Sequence, residues 1–179
     1  MNDFTRLTDV IKRKIFLLLG RALLTAVNND EKTQKIQVTL LKDETISDIE
    51  RFQEYGFETY PKKGSAEAVI GFLNGNRDHG IVLCVHDREY RPDDLAEGDS
   101  RHYDYRGNKI TCQGSGIEIE CKNGNKAHLT STGIEIECKN GNKGYLTSTG
   151  IKLECKNGNT VEMVSGKVKV NSTNLEVLQ

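Results

Sequence analysis

The sequence predicts a mainly β fold, in which a short N-terminal helix leads into a small barrel and the barrel into a shaft of repeated β-hairpins. Two observations carry this prediction. The second half of the chain repeats itself every 17 residues, and the first half holds short strand-like runs separated by turn signals. Only 36% of the 179 residues are hydrophobic, so the chain is lean in residues that can form a core.

The N-terminal segment shows the apolar spacing of a helix. Apolar side chains recur at Phe4, Leu7, Ile11, Ile15 and Leu18, with basic residues between them. We interpret this segment as an amphipathic helix that docks on its own protein or on a partner. A helix lying on a membrane surface is the alternative.

The rest of the first half predicts a barrel. Strand-like runs occupy residues 22–27, 36–41, 69–73 and 81–85, and residues 50–60 are interpreted as a loop or a short helix. This order fits a Greek-key barrel of the OB type. Such barrels often bind nucleic acid, but the aromatic and basic residues here are not interleaved as a stacking groove requires, so no nucleic-acid partner is expected.

The predicted domains follow from these patterns and from a charged stretch between the two halves. They are an N-terminal helix at 1–21, a barrel at 22–87, a linker at 88–106 and a shaft at 107–179. The net charge of −1 offers no basic field for a polyanion. The apolar run at 15–19 is far shorter than the roughly 20 residues that cross a membrane.

Three consecutive repeat units make up most of the shaft. They read GIEIECKNGNKAHLTST, GIEIECKNGNKGYLTST and GIKLECKNGNTVEMVSG, beginning at Gly116, Gly133 and Gly150. Apolar and charged residues alternate strictly after each glycine, which is typical of a strand with one buried face. Each unit is therefore expected to form one hairpin with one apolar face.

The turns of each hairpin are constrained by this alternation. A three-residue loop at 123–125 would pair residue 121 with 127 and 119 with 129, with Gly124 or Asn125 at positive φ. A two-residue turn at Thr132 and Gly133 would pair residue 131 with 134, but a wide bend would satisfy the same alternation, so the sequence alone does not fix this turn. This register would place His128 between Glu120 and Glu137 on the outer face.

The apolar face of the shaft has nothing in its own sequence to cover it. Either one chain coils into a narrow solenoid, or several copies wrap their apolar faces around a common axis. Two short strands per 17-residue unit are too few for a coil in which one chain forms all three sides. This favours a homotrimer. The predicted trimer core consists of Ile117, Ile119, Cys121, Leu129, Ile134, Ile136, Cys138, Leu146, Ile151, Leu153, Cys155 and Met163.

The sequence holds no pattern that predicts a metal or a catalytic site. Cys121, Cys138 and Cys155 recur every 17 residues without a CxxC or CxxH pair, so we interpret them as small apolar residues and expect no metal and no cofactor. The five cysteines, an odd number, indicate reduced thiols. Repeated glutamates are typical of a strand ladder, whereas a catalytic site would break the repeat once.

The first half of the chain resembles the N-terminal barrel of Mu-like phage baseplate spike proteins. The residues that carry the resemblance are 69–85 (VIGFLNGNRDHGIVLCV), preceded by 60–67 (YPKKGSAE), together with 6–28 and 87–94 (DREYRPDD). The NGNRDHG hairpin is specific, and the resemblance covers residues 1 to about 100. The 17-residue repeats resemble this family only in the type of structure that they predict, because the sequence of the β-helix varies among its members.

The resemblance implies a fold and a role. The implied fold is an OB-type barrel followed by a trimeric, intertwined, triple-stranded β-helix. Its role is the central spike of a contractile tail in the virion baseplate, a needle without enzymatic activity that punctures the host outer membrane during genome delivery. The implied partners are two sister copies, a baseplate hub protein and a possible separate tip protein. The candidate hub-docking residues are Phe4, Leu7, Ile11 and Ile15.

The chain departs from this family at its C-terminal end. Many members carry an HxH motif there that binds iron at the needle tip, whereas no histidine follows His128 here. No tip metal site is therefore implied.

Two alternatives remain at this point: an OB-type module on a repeat stalk that binds nucleic acid or another ligand, and a polysaccharide-cleaving β-helix that uses Glu120 or Glu137.

Overall fold

The chain forms two compact units. The computed structural model describes residues 7–9, 11, 12, 15, 18–40 and 44–171. The first unit is Met1–Glu89 and the second is Tyr90–Gln179. Described residues 7–9, 11, 12 and 15 have helical backbone, and Phe4 lies outside the described residues. Residues 172–179 lie outside them as well.

Five strands form a closed barrel in the first unit. They are β1 (Leu19–Asn28), β2 (Lys35–Thr39), β3 (Thr45–Arg51), β4 (Ala66–Phe72) and β5 (Gly80–Asp87). Around the barrel the order is β1-β2-β3-β5-β4. Four of the contacts are antiparallel, and β3 runs parallel to β5.

The interior of this barrel is a complete hydrophobic core. Alternate residues of each strand point inward, as β4 shows, in which every second residue from Ala66 to Phe72 is buried. The core consists of Ala22, Leu24, Ile36, Val38, Ile49, Ala66, Ala68, Ile70, Phe72 and Val82. The barrel therefore has a core of its own.

Strand β3 was not expected from the sequence. Residues 50 and 51 end this strand, and the segment from 52 to 65 is a loop without a helix. The inward residues Ile46 and Ile49 are three positions apart, because a bulge falls between them and Asp48 adopts a φ of 59°. The bulge breaks the period-two alternation by which a strand is recognised.

The second unit is one antiparallel sheet of nine strands, each paired with its neighbours in the chain. The sheet begins at Ser100, inside the segment 88–106 that was interpreted as a linker. Its strands are β6 (Ser100–Tyr103), β7 (Lys109–Gln113), β8 (Gly116–Glu120), β9 (Lys126–Thr130), β10 (Gly133–Glu137), β11 (Lys143–Thr147), β12 (Gly150–Glu154), β13 (Thr160–Val164) and β14 (Lys167–Asn171).

The predicted register of the hairpins was wrong by two residues. The prediction that apolar residues pair with apolar residues on one face was right. Ile119 pairs with Ala127 and Ile117 with Leu129. The turn starts one residue earlier than expected, because the Cys121 N–H donates to Asn125 O at 2.9 Å and the Gly124 N–H donates to Cys121 O at 2.8 Å. Gly124 has a φ of 91°, as a three-residue loop with a bulge requires.

The second turn, which the sequence leaves open, lies one residue before Thr132 and Gly133. It consists of residues 131 and 132, and Gly133 already pairs with Thr130 as the first residue of β10. A Cβ atom on Gly133 would collide with the backbone oxygen of Leu146, so the glycine is required within the sheet and not in the turn. In this register His128 pairs with Glu118 and Glu135 instead of Glu120 and Glu137.

Candidate functional site

The register of the second unit places its apolar residues on one face, in two columns across the strands. The column near the Asn-Gly turns contains Ile110, Ile119, Ala127, Ile136, Gly144, Leu153, Val161 and Val170. The other column contains Cys112, Ile117, Leu129, Ile134, Leu146, Ile151, Met163 and Val168. We call these two columns the apolar face.

The residues that the structure describes leave the apolar face uncovered. Its large side chains are between 36% and 67% exposed, and every buried hydrophobic residue that the structure describes lies in the barrel. Soluble monomers rarely expose a contiguous apolar surface of this extent, and such surfaces mark interaction sites. The described residues of the second unit therefore form no buried hydrophobic core within one copy.

Most of the predicted trimer-core residues lie on the apolar face. Nine of them occupy the two columns: Ile117, Ile119, Leu129, Ile134, Ile136, Leu146, Ile151, Leu153 and Met163. The other three, Cys121, Cys138 and Cys155, are exposed residues in the turns, one position after a strand ends. Ile110 and Val161 also lie on the apolar face but were not predicted, because the copies of the repeat that contain them are less regular.

The opposite face of the sheet is a ladder of alternating charges. One row reads Lys109, Glu120, Lys126, Glu137, Lys143 and Glu154 across consecutive strands. Nζ–carboxylate distances in this row are 3.1 Å for Lys109–Glu120, 3.3 Å for Lys126–Glu120 and 3.4 Å for Lys143–Glu137. Opposite charges across strands favour this register, although exposed pairs each contribute little.

Electrostatic shifts on the charged face follow from these pairs. The hydrogen bond from Lys109 holds the pKa of Glu120 below its ordinary value, and Lys126 adds to the effect. Glu120 in turn raises the pKa of Lys126. Glu120 is therefore a stabilised carboxylate within a repeating ladder, which is the opposite of what a general acid requires.

A second periodic feature, which the sequence analysis missed, links the turns. The side-chain oxygens of Asn108, Asn125 and Asn142 accept hydrogen bonds from the backbone N–H groups of the lysines 14 residues later, at 3.0, 2.9 and 3.1 Å. We call these three contacts the asparagine ladder. It explains the second asparagine of the NGN sequences at 123–125 and 140–142, because each of these asparagines attaches its turn to the next one along the sheet.

The candidate docking residues of the N-terminal segment are exposed where the structure describes them. Leu7, Ile11 and Ile15 are all about half exposed, at helical spacing. Among the described residues, no helix is both long and apolar enough to cross a membrane. Nor does the described part of the chain bring together three or more potential metal ligands.

A closed five-stranded barrel and a repeat sheet with one exposed apolar face define a class of two-part β protein. Comparison with known proteins identifies the family. Residues 21–89 match the family described as Bacteriophage Mu Gp45, N-terminal, and this part of the chain belongs to it.

Two relatives extend the match beyond the barrel. The chain is 40% identical over 125 residues to the baseplate puncturing device gp45 of Escherichia phage Mu, which covers 68% of this chain and 63% of that protein. It is 35% identical over 123 residues to the Mu-like prophage FluMu protein gp45 of Haemophilus influenzae, covering 68% and 66%. The aligned part thus spans somewhat less than two thirds of each relative. The chain is a homologue of the phage Mu puncturing device, which confirms the resemblance.

Proposed function

We propose that this protein is the central baseplate spike of a contractile phage tail or phage-like particle, which punctures the host outer membrane. The observation that carries the proposal is the apolar face of the second unit, which runs along eight strands and is covered by none of the described residues. The name of the Mu relative, a baseplate puncturing device, supports the same role. The protein acts in the virion, as part of the tail baseplate.

In this proposal three copies assemble around a common axis. Each copy supplies one wall of a three-sided shaft, with the apolar faces inside and the charge ladders outside. Burial of apolar surface contributes roughly 25 cal/mol per Å2, which a single exposed sheet cannot gain. Strands β7–β13 are hydrogen-bonded on both edges within one chain, so the copies contact each other through apolar side chains. The right-handed twist of each sheet would wind the three walls into a triple β-helix.

The proposed shaft suits a mechanical and non-enzymatic role. A narrow body with a continuous core spreads an axial load over every strand, and unfolding would require many contacts to fail together. The barrel is proposed to be of the OB type, since its strand order and its parallel β3–β5 pair fit that fold. The N-terminal segment with Phe4, Leu7, Ile11 and Ile15 docks on the hub protein.

The mass of the native protein tests this proposal directly. Light scattering should give a mass near three times 20.0 kDa, and the assembly should resist SDS before boiling. A monomer under these conditions would contradict the proposal, since one copy alone leaves the apolar face in water.

A further inference from the structure

A cleft lies between two loops of the barrel. It is lined by residues of the segment 29–34, which joins β1 to β2, and of the segment 51–58, which begins at the last residue of β3. Its volume of about 400 Å3 falls within the range of ligand-binding sites, roughly 300–1,000 Å3. All of its lining residues belong to the first unit.

Arg51 lines this cleft and is held by neutral groups. Its Nη1 donates to Gln34 Oε1 at 2.7 Å and to Thr59 O at 2.9 Å, and its Nη2 donates to Thr59 Oγ1 at 2.7 Å. No carboxylate among the described residues forms an ion pair with this guanidinium, and burial lowers the pKa of Arg51 below its ordinary value. A partly buried charge without a counter-ion is costly for a fold, so Arg51 is more than a structural contact.

The guanidinium of Arg51 keeps one edge that makes no hydrogen bond within the described part of the chain. An arginine has five N–H donors, and the bonds to Gln34 and Thr59 use three of them. The two that remain, Nε–H and the second Nη2–H, project from the same edge of the planar group. This edge matches the two oxygens of a carboxylate, which it binds through two parallel hydrogen bonds.

The groups around Arg51 hold it in position without a ligand. Gln34 is buried, and its Nε2 donates to Asn29 Oδ1 at 2.8 Å and to Thr59 O at 3.1 Å. The Thr59 N–H donates to Gln53 Oε1 at 2.8 Å. Each partner of the arginine is thus fixed by a further hydrogen bond. A binding group that is already ordered loses little conformational entropy when its ligand arrives.

The charges of the cleft favour a ligand with one negative charge. Besides Arg51, the charged residues that line the cleft are Glu31, Lys32 and Glu58. Glu31 is paired with Lys35, which is not part of the lining, at 2.7 Å. Arg51 and Lys32 therefore face the single carboxylate of Glu58. A monoanion balances this excess, whereas a dianion would be repelled more strongly by both glutamates.

Two aromatic side chains supply an apolar wall. Phe52 and Phe57 line the cleft, and both are more than half exposed. An aromatic or aliphatic group attached to a carboxylate would pack on them, and burial of this apolar surface favours binding. The cleft therefore combines a carboxylate-binding edge with an apolar surface.

We propose that this cleft binds a carboxylate attached to an apolar group, with Arg51 as the residue that holds the carboxylate. The C-terminal residue of a polypeptide and a small organic acid share this chemistry. The proposal goes beyond the spike function and does not depend on how many copies assemble, so the two proposals are tested separately.

Calorimetric titration of the full chain with four compounds tests this proposal. Benzoate should bind saturably, and benzamide, which has nearly the same shape without the charge, should bind about tenfold more weakly. Phenylphosphonate in its dianionic form should also bind more weakly than benzoate. N-acetyl-phenylalanine carries its carboxylate as the last residue of a polypeptide does. If it binds more tightly than benzoate, the natural ligand is a polypeptide terminus, and the reverse order indicates a small acid.

Two variants of the cleft should change the affinity for benzoate in opposite directions. Arg51→Lys keeps the charge but removes the two-pronged edge, so the affinity should fall several-fold. Glu58→Gln removes the facing carboxylate, so the affinity should rise several-fold. Arg91→Gln, at an exposed arginine of the second unit, is the control that leaves the affinity unchanged. A crystal soaked with 4-iodobenzoate locates the ligand by its iodine without any variant, and the iodine should lie beside Phe52 or Phe57.

The outcomes decide the assignment. Equal affinities for benzoate and benzamide, or no saturable binding of either carboxylic acid, would overturn the proposal. Tighter binding of phenylphosphonate would show a phosphate site instead of a carboxylate site. An unchanged affinity in a folded Arg51→Lys protein, or iodine outside the cleft, would remove Arg51 from the site. All of these results leave the spike proposal intact, because the mass of the native protein tests that proposal.

Discussion

The glycine that opens each repeat is fixed by a backbone contact. Gly116, Gly133 and Gly150 have φ values of 134°, 151° and 156°, and at each of them a Cβ atom would collide with a carbonyl oxygen of the next strand. No other residue type fits this position without a shift of the sheet.

Gly133→Ala should therefore lower the free energy of unfolding of the second unit. A strained backbone position costs about 1–3 kcal/mol, and displacement of the adjacent strand adds to this. Gly114→Ala is the matched control, since a Cβ atom at Gly114 has no heavy atom within 4 Å. Denaturant midpoints of the full chain measure the difference, and equal midpoints for the two variants would show that the close approach is absent.

The asparagine ladder gives a second prediction at the residue scale. Asn125→Ala removes the acceptor for the Lys139 N–H, so the free energy of unfolding should fall by about 0.5–1.5 kcal/mol. Asn125→Asp keeps an acceptor oxygen in the same place and should retain most of the stability. If the two variants unfold at the same denaturant concentration, the hydrogen bond between the turns contributes nothing.

At the scale of the element, each strand of the sheet has one face for assembly and one for solvent. Ile136 lies on the apolar face and its neighbour Glu135 on the charged face, where it contacts Lys143 at 3.1 Å. Ile136→Asp would bury an unpaired carboxylate in the proposed trimer core, at a cost of several kcal/mol. It should block assembly in light scattering, whereas Glu135→Lys should still give a trimer. Identical behaviour would contradict the assignment of the two faces.

The charged face gives the sheet a predictable pH dependence. Because the folded pKa of Glu120 is lowered, its contribution to stability is present above the ordinary value of 4.5 and is lost as the pH falls through the lowered folded value. The unfolding midpoint of the sheet should decrease below about pH 4.5. Glu120→Gln should weaken this dependence, and an unchanged acid profile in this variant would show that the Lys109–Glu120 pair does not stabilise the fold.

At the scale of the whole molecule, the two units differ in where their cores come from. The barrel has buried residues from all five strands, while the sheet has an apolar face but no buried hydrophobic residue among those described. In the Ile136→Asp variant, hydrogen exchange should thus remain slow at Leu24 and Val38 and become fast throughout β8–β12. Loss of protection in both units together would show that the barrel also depends on the trimer.

The sequence by itself determined the repeat, the two faces of its strands and the family to which the barrel belongs. These depend on the local alternation of apolar and charged residues and on a specific hairpin sequence, and both can be recognised directly in the amino-acid sequence. Tertiary structure decided the register, because hydrogen bonds at Cys121 and a close approach at Gly133 select among turns of equal parity. It also decided the bulged strand β3, the asparagine ladder and the polar contacts that Thr59 makes with Gln34, Arg51 and Gln53. Each of these depends on contacts between residues that are several to many positions apart in the chain. The local alternation of apolar and polar residues does not predict such contacts.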